Sequence, residues 1–294
     1  MKMWHMKRSR WAIFSGILMM MMSCDLVNPA EPVPATIHLN PFVFDIDPGQ
    51  GSANNRIAEV WVYANGSYLG TFSPPVDIRY LEEGPTTFTF RPGIRNNGIA
   101  GDAIIYPLFT GYTIDFDVVS GTTYQVTPVT RYQPDAVFSL LVDFELSNPF
   151  TDNKDTVAAS QVVRSMEDVF EGQYAGEMIM SEEADYIDVG HALAMTDLPV
   201  DGTAAYLEFR YKCETEFSIG ILGTNLEGQS YSNYFYLVKP TPEWNMLYIE
   251  LTDLLEASAL STYKIFFRSL YPPSATKPEL PIYLDNIKVV HLIP

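Results

Sequence analysis

The sequence predicts an all-β protein: two antiparallel β-sandwiches, the second a jelly roll, behind an export signal and a proline-rich tether. Three observations predict it. From about residue 37 onward apolar and polar residues alternate with the period of two that a half-buried strand requires, as in Thr113-Ile-Asp-Phe-Asp-Val118. Turn residues break these runs at short intervals, Asn65-Gly66 and Ser120-Gly121 among them. Only one stretch, 252–258, reads as a helix, and it is short. With 294 residues and 47% hydrophobic side chains the chain is long enough for two domains and too apolar for disorder. Two cysteines exclude a disulfide scaffold or a multi-cysteine zinc site.

At the start of the chain Lys2, Lys7, Arg8 and Arg10 precede the apolar run 11–22, and Ser23-Cys24 follows at once. The run is shorter than the ~20 residues a membrane-spanning helix needs, so it reads as an export signal. The stretch Met21-Met22-Ser23-Cys24 resembles the lipobox of bacterial lipoproteins, with Ser23 in the small position and Met21 where the family prefers Leu. The resemblance implies removal of residues 1–23, a lipid anchor on Cys24 and a place in the cell envelope, at the outer membrane. The plainer alternative is a secreted protein whose cysteine falls there by chance. Residues 24–36 carry three prolines and no periodicity, which reads as a tether. Loss of residues 1–23 leaves 36 acidic against 14 basic residues, a net charge of −22. Such a surface excludes duplex nucleic acid as a partner and repels anionic headgroups, so the lipid would hold the chain to its membrane.

Residues 37–132 read as a small sandwich. Val60-Trp-Val-Tyr63 and Ser67-Tyr-Leu-Gly-Thr-Phe72 flank Asn65-Gly66, the strongest short hairpin signal. Val76-Asp-Ile-Arg-Tyr80 leads through Glu82-Glu-Gly84 to Thr86-Thr-Phe-Thr-Phe90, and residues 113–118 turn at Ser120-Gly121 into 122–130. The order of strands and turns over residues 57–130 resembles the PEGA-type and transthyretin-like sandwiches of bacterial envelope proteins. The Gly/Asn-rich stretch 91–102 departs from that pattern; such loops decorate a binding edge or are merely tolerated, and the second is the expectation.

Gln133-Pro-Asp135 reads as a boundary, and residues 137–294 as the jelly roll. Strands are expected at 138–145, 172–181, 204–213, 216–222, 231–239, 246–251, 263–270 and 281–292. Leu141-Val-Asp-Phe-Glu145, Glu243-Trp-Asn-Met-Leu-Tyr-Ile-Glu-Leu251 and Ile282-Tyr-Leu-Asp-Asn-Ile-Lys-Val-Val290 together resemble galactose-binding-like and carbohydrate-binding-module jelly rolls. That resemblance implies a non-catalytic domain that binds a glycan.

No catalytic constellation stands out. His38, His191 and His291 lie in no nucleophile-activating or metalloprotease context, and Glu183-Ala-Asp185-Tyr-Ile-Asp188 reads as an acidic surface loop rather than a glycosidase pair. Cys213 alternates with Leu207, Phe209 and Tyr211 and is expected to be a buried, inert thiol. Asp143 and Glu145 would share a strand face. Because the first and last strands of a jelly roll are neighbours, Asp285 would come close, and the three either hold a structural calcium ion or are solvated edge residues and a turn cap. Tyr234, Tyr236 and Tyr271, with Arg210 as polar partner, are the candidate sugar contacts; Tyr234 and Tyr236 are expected on the same side of their strand. The functional expectation is a lipid-anchored envelope protein binding a glycan, the alternative one that docks another envelope protein.

Overall fold

The computed structural model describes residues 31–155 and 159–294. Cys24 and the export signal lie outside the described residues. The first half contains β1 (Ala35–Leu39), β2 (Val43–Phe44), β3 (Glu59–Ala64), β4 (Ser67–Phe72), β5 (Val76–Tyr80), β6 (Gly84–Arg95), β7 (Ala103–Ile105), β8 (Tyr112–Val118), β9 (Thr123–Val126) and β10 (Val129–Thr130). The second contains β11 (Ala136–Val142), β12 (Phe150–Asn153), β13 (Val163–Ser165), β14 (Ala175–Ser181), β15 (Tyr186–His191), β16 (Ala205–Cys213), β17 (Phe217–Thr224), β18 (Ser230–Val238), β19 (Thr241–Glu250), α1 (Thr252–Ser258), β20 (Thr262–Leu270) and β21 (Glu279–Leu292). Two β-sandwiches, the second a jelly roll, thus account for the described chain, with strand pairing antiparallel except where β1 meets β9 and β2 meets β10 in parallel.

In the N-terminal sandwich the sheet β5-β1-β9 packs on the sheet β4-β3-β6-β7, with β8 also on β6. The expected hairpin β3–β4 forms because Asn65 and Gly66 adopt φ 48° and 79°, the left-handed pair that a tight two-residue turn needs. Alternation puts Val60, Val62, Phe88 and Phe90 inside, against Ile37 and Leu39 of β1. β1 begins at Ala35, two residues inside the stretch read as tether.

The jelly roll stacks β13-β14-β21-β16-β19 on β12-β15-β20-β17-β18. The long β21 is the spine of the first sheet: β14 pairs with its first half, β11 with its second, and β16 runs along its other side. Leu207, Phe209, Tyr211 and Cys213 of β16 point into the core with Ile282, Leu284, Ile287 and Val289 of β21. β11 does neighbour β21, but it stops at Val142 rather than 145. Phe144 then takes φ 60°, a left-handed conformation that ends the strand and turns its ring into the core.

A third apolar cluster joins the domains. Ile94, Tyr106, Leu108, Phe109 and Tyr132 of the first meet Tyr206, Met246, Tyr248 and Val290 of the second, with Tyr106 edge-on to Tyr206 and Tyr248 at 4.8 and 5.2 Å between ring centroids. The loop after β6, expected to be merely tolerated, is part of this seam. Asn97 N–H donates to the Tyr248 carbonyl at 2.9 Å, Asn96 Nδ2 to Glu250 at 2.9 Å, and Glu250 N–H to Asn97 Oδ1 at 3.0 Å.

Candidate functional site

The jelly roll has two outer sheet faces, and the N-terminal domain covers one. On it the outward residues of β16 and β21 alternate as a polar row, with Glu208 opposite Lys288 and Arg210 opposite Asp285. Glu208 is fully buried and accepts hydrogen bonds from the hydroxyls of Tyr106 and Tyr132, both at 2.6 Å. Lys288 donates to the Ser52 carbonyl at 3.0 Å and to the Tyr132 hydroxyl at 3.2 Å. Burial raises the Glu208 pKa against the pull of Lys288 and the two phenols; it lowers that of Lys288 and pushes both tyrosines well up.

Two of the expected sugar contacts belong to this closed side. Arg210 is only 8% exposed, donates to the Asn54 carbonyl at 2.8 Å and lies over the Phe170 ring at 4.3 Å. The segment carrying Ser52 and Asn54 reaches across from the other domain and seals Arg210 from any ligand. Tyr236 packs against the jelly-roll core and donates its hydroxyl to the Asn97 carbonyl at 2.6 Å, within the seam. Its separation from Tyr234 has a simple cause. Ile219 pairs with Tyr236 and Gly220 with Tyr234, so Phe235 is an extra residue, a β-bulge, and the two tyrosines leave the strand on opposite faces.

The other outer face, that of β12-β15-β20-β17-β18, is not covered by the N-terminal domain; Gly190, Gly220 and Phe266 on it are buried, whereas Leu237 and Leu270 are exposed. One cross-strand row holds Gly190, Phe266, Gly220 and Tyr234; the next holds Asp188, Arg268, Ser218 and Leu237. The Phe266 ring lies where a β-carbon on Gly190 would be, and the Tyr234 ring where one on Gly220 would be. Arg268 lays its guanidinium on the Tyr234 ring at 3.5 Å and donates to Asp188 Oδ2 through Nη2 at 2.6 Å and Nε at 3.3 Å. The hydroxyls of Tyr234 and Tyr186 also donate to Asp188, the latter at 3.0 Å. Burial followed by Asp188 raises the pKa of both phenols; for Arg268 burial pulls down, but the bond and charge of Asp188 together with the two phenols outweigh it and raise the pKa. Beside this unit a groove of about 490 Å³ runs between Glu216, Ser218, Leu237, Arg268, Leu270 and Tyr271. Tyr271 is fixed by its own bond to the Lys277 carbonyl at 2.7 Å.

Of the sequence candidates, then, Tyr234 and Tyr271 flank one feature, while Arg210 and Tyr236 are spent elsewhere. Sequence reasoning missed Arg268, Asp188 and Tyr186. Asp188, expected in an acidic loop, sits on β15 and is 4% exposed; Glu183 and Asp185 are the exposed acids. The signal was the alternation Lys264, Phe266, Arg268 facing Tyr186, Asp188 across two strands.

The acids considered for calcium are not brought together as ligands. Asp143 lies past the end of β11 and caps the Glu145 N–H at 3.0 Å. Glu145 accepts the Gln173 and Tyr174 N–H groups at 2.8 and 3.0 Å. Asp285, fully buried, accepts those of Glu171 and Asn286 at 3.2 and 2.8 Å, and burial holds its carboxyl up at about 7. Among the described residues no three His, Cys, Asp or Glu side chains converge as metal ligands would. Cys213 is buried as expected, its thiol pushed up to about 11 by that burial.

No protein-family model matches the sequence, and no curated protein does. Solved carbohydrate-binding modules overlap it loosely. One, from work on promiscuous specificity among such modules of the β-sandwich superfamily, is 18% identical over 79% of this chain and 84% of its own, with a TM-score of 0.37. The C-terminal family 22 module of Clostridium thermocellum Xyn10B is 14% identical over 53% of this chain and 92% of its own, TM-score 0.38. The family 11 module of the cellulosomal cellulase Lic26A-Cel5E of that organism is 14% identical over 53% and 95%, TM-score 0.35. Overlaps this loose carry nothing about what the chain binds.

Proposed function

We propose that this is a non-catalytic, lipid-anchored protein of the bacterial cell envelope, at the outer membrane, whose jelly roll binds a glycan on its open sheet face. The observation that carries the reading is the unit Tyr234–Arg268–Asp188–Tyr186 at the edge of the groove. A buried carboxylate fixes an arginine and two phenols in place, so the recognition groups are ordered before any ligand arrives. Flat aromatic and guanidinium surfaces suit the apolar faces of sugar rings, and the Arg268 Nη1 group, not engaged by Asp188, can meet hydroxyls. Glu214 and Glu216 also line the groove, each paired with a lysine, Lys277 at 2.6 Å and Lys239 at 2.8 Å.

The test is binding of the mature chain to arrayed neutral and acidic polysaccharides, beside its Arg268→Ala variant. Retention of a polysaccharide that the variant loses supports the reading. Silence across the array favours the second reading, docking of another envelope protein, for which Leu237 and Leu270, 45% and 63% exposed beside the groove, are the specific observation.

A further inference from the structure

The N-terminal sandwich has two ends, and the strands that run between them fix what each end can touch. β6 spans twelve residues: Gly84 pairs with Val118 at one end, while Ile94 enters the interdomain cluster at the other. At ~3.3 Å per residue the two ends stand about 36 Å apart. The jelly roll occupies the second end. At the first, three segments meet. Glu83 accepts the Ser120 N–H at 3.1 Å, Gly121 donates to the Pro34 carbonyl at 3.3 Å, and Ser120 donates to the Val33 carbonyl. Each segment presents an exposed aliphatic side chain there: Val33, Leu81 and Val119, at 62%, 59% and 55% exposure. This is also where the chain enters the fold, and Val33 follows Cys24 by only nine residues.

We infer that this pole rests on the lipid bilayer, so that the N-terminal sandwich stands upright as a spacer and carries the jelly roll away from the membrane. The inference rests on the lipid-anchored reading of Cys24. A nine-residue leash reaches at most about 30 Å when fully extended and averages about 17 Å when flexible, which keeps the pole within touching distance of the surface that holds the lipid. The acids beside the cap choose the kind of surface. Glu83 is tied to Ser120 and Glu82 accepts the Tyr80 hydroxyl at 3.0 Å, so carboxylates border the three aliphatic groups. An anionic headgroup layer would be repelled; a zwitterionic one admits the cap.

The experiment uses the full chain matured in a bacterial host, purified and reconstituted in phosphatidylcholine vesicles with brominated acyl chains. Tryptophan is introduced by Val119→Trp at the pole or by Ile99→Trp in the seam loop, and each is compared with the unsubstituted protein. The emission added by Val119→Trp is expected to fall to about half, because side chains at an interfacial cap sit ~5–10 Å into the headgroup boundary, while that of Ile99→Trp is unchanged. Including phosphatidylglycerol should weaken the quenching. Equal quenching of both variants, or none at Val119→Trp while mass spectrometry shows lipid on Cys24, overturns the upright placement. Absence of lipid on Cys24 overturns the reading beneath it.

Discussion

The two outer faces of the jelly roll carry the same four groups in two settings. On the closed face a carboxylate, Glu208, is held by two phenols, Tyr106 and Tyr132, and feels the charge of Lys288, which is bonded to Tyr132. On the open face Asp188 is held by two phenols and an arginine, Tyr186, Tyr234 and Arg268. The difference is where the phenols come from. Both tyrosines that serve Glu208 belong to the other domain, so its quartet exists only when the domains are joined, and it acts as a seam. All four members around Asp188 lie on β15, β18 and β20 of one sheet, so that quartet is complete by itself and keeps one side free. Similar chemistry makes an interface when it is closed from both sides and leaves an arginine partly exposed when it is closed from one.

Separating the domains should break this comparison most strongly. Residues 137–294 alone would expose Tyr206, Met246, Tyr248 and Val290 and hydrate the buried charges. At ~1.5–3 kcal/mol for each large apolar side chain, several kcal/mol are lost. Sedimentation and urea denaturation should show a self-associating or weakly cooperative fragment; a monomer as stable as the full chain would mean the seam is idle. Within the intact chain, Lys288→Met removes the buried cation whose charge favours the Glu208 carboxylate and the donor to Tyr132 and the Ser52 carbonyl, and should cost ~1–3 kcal/mol in urea denaturation. Adding Glu208→Gln should restore much of that, whereas additive losses would show that the two residues do not act as a pair.

Asp285 sharpens the same face through pH. Burial holds its carboxyl at about 7 in the folded protein, whereas the unfolded chain gives up that proton near ~3.9. The folded state therefore binds more protons between those values. The stability this group contributes is fully present below ~4 and disappears as pH rises through about 7, a fall of roughly 4 kcal/mol. Asp285→Asn should flatten that stretch of the stability–pH curve; an unaltered slope would assign it to other groups. The smallest effect belongs to the open face. Asp188→Asn unfixes Arg268 and two phenols in a half-solvated setting and should cost ~1–2 kcal/mol of stability. Its mark should appear in binding, with glycan affinity reduced about tenfold or more if the unit is preorganised for a ligand.

Much of this could be read from the chain. The hairpin at Asn65-Gly66, the helix 252–258 and the inward row of β16 follow from local rules of turn geometry and alternation. The candidate site was less legible, for two physical reasons. Period-two alternation tells inside from outside within one sheet but not whether another domain covers the outside. Arg210, expected as a sugar contact, therefore turned out to lie in a buried seam with Tyr206 and Glu208. A bulge also reverses every later side chain, and nothing in Tyr234-Phe-Tyr236 announces one. The extra residue shows only in the pairing with β17.

Gly190 and Gly220 give the open face its relief by what they lack. Phe266 and Tyr234 recline into the spaces that two methyl groups would fill. An alanine at either position would have to displace one of these rings. At Gly220 the displaced ring is the partly exposed Tyr234, so one added carbon atom would reshape the surface around Arg268, whereas at Gly190 it is the fully buried Phe266 and the same carbon would disturb packing instead.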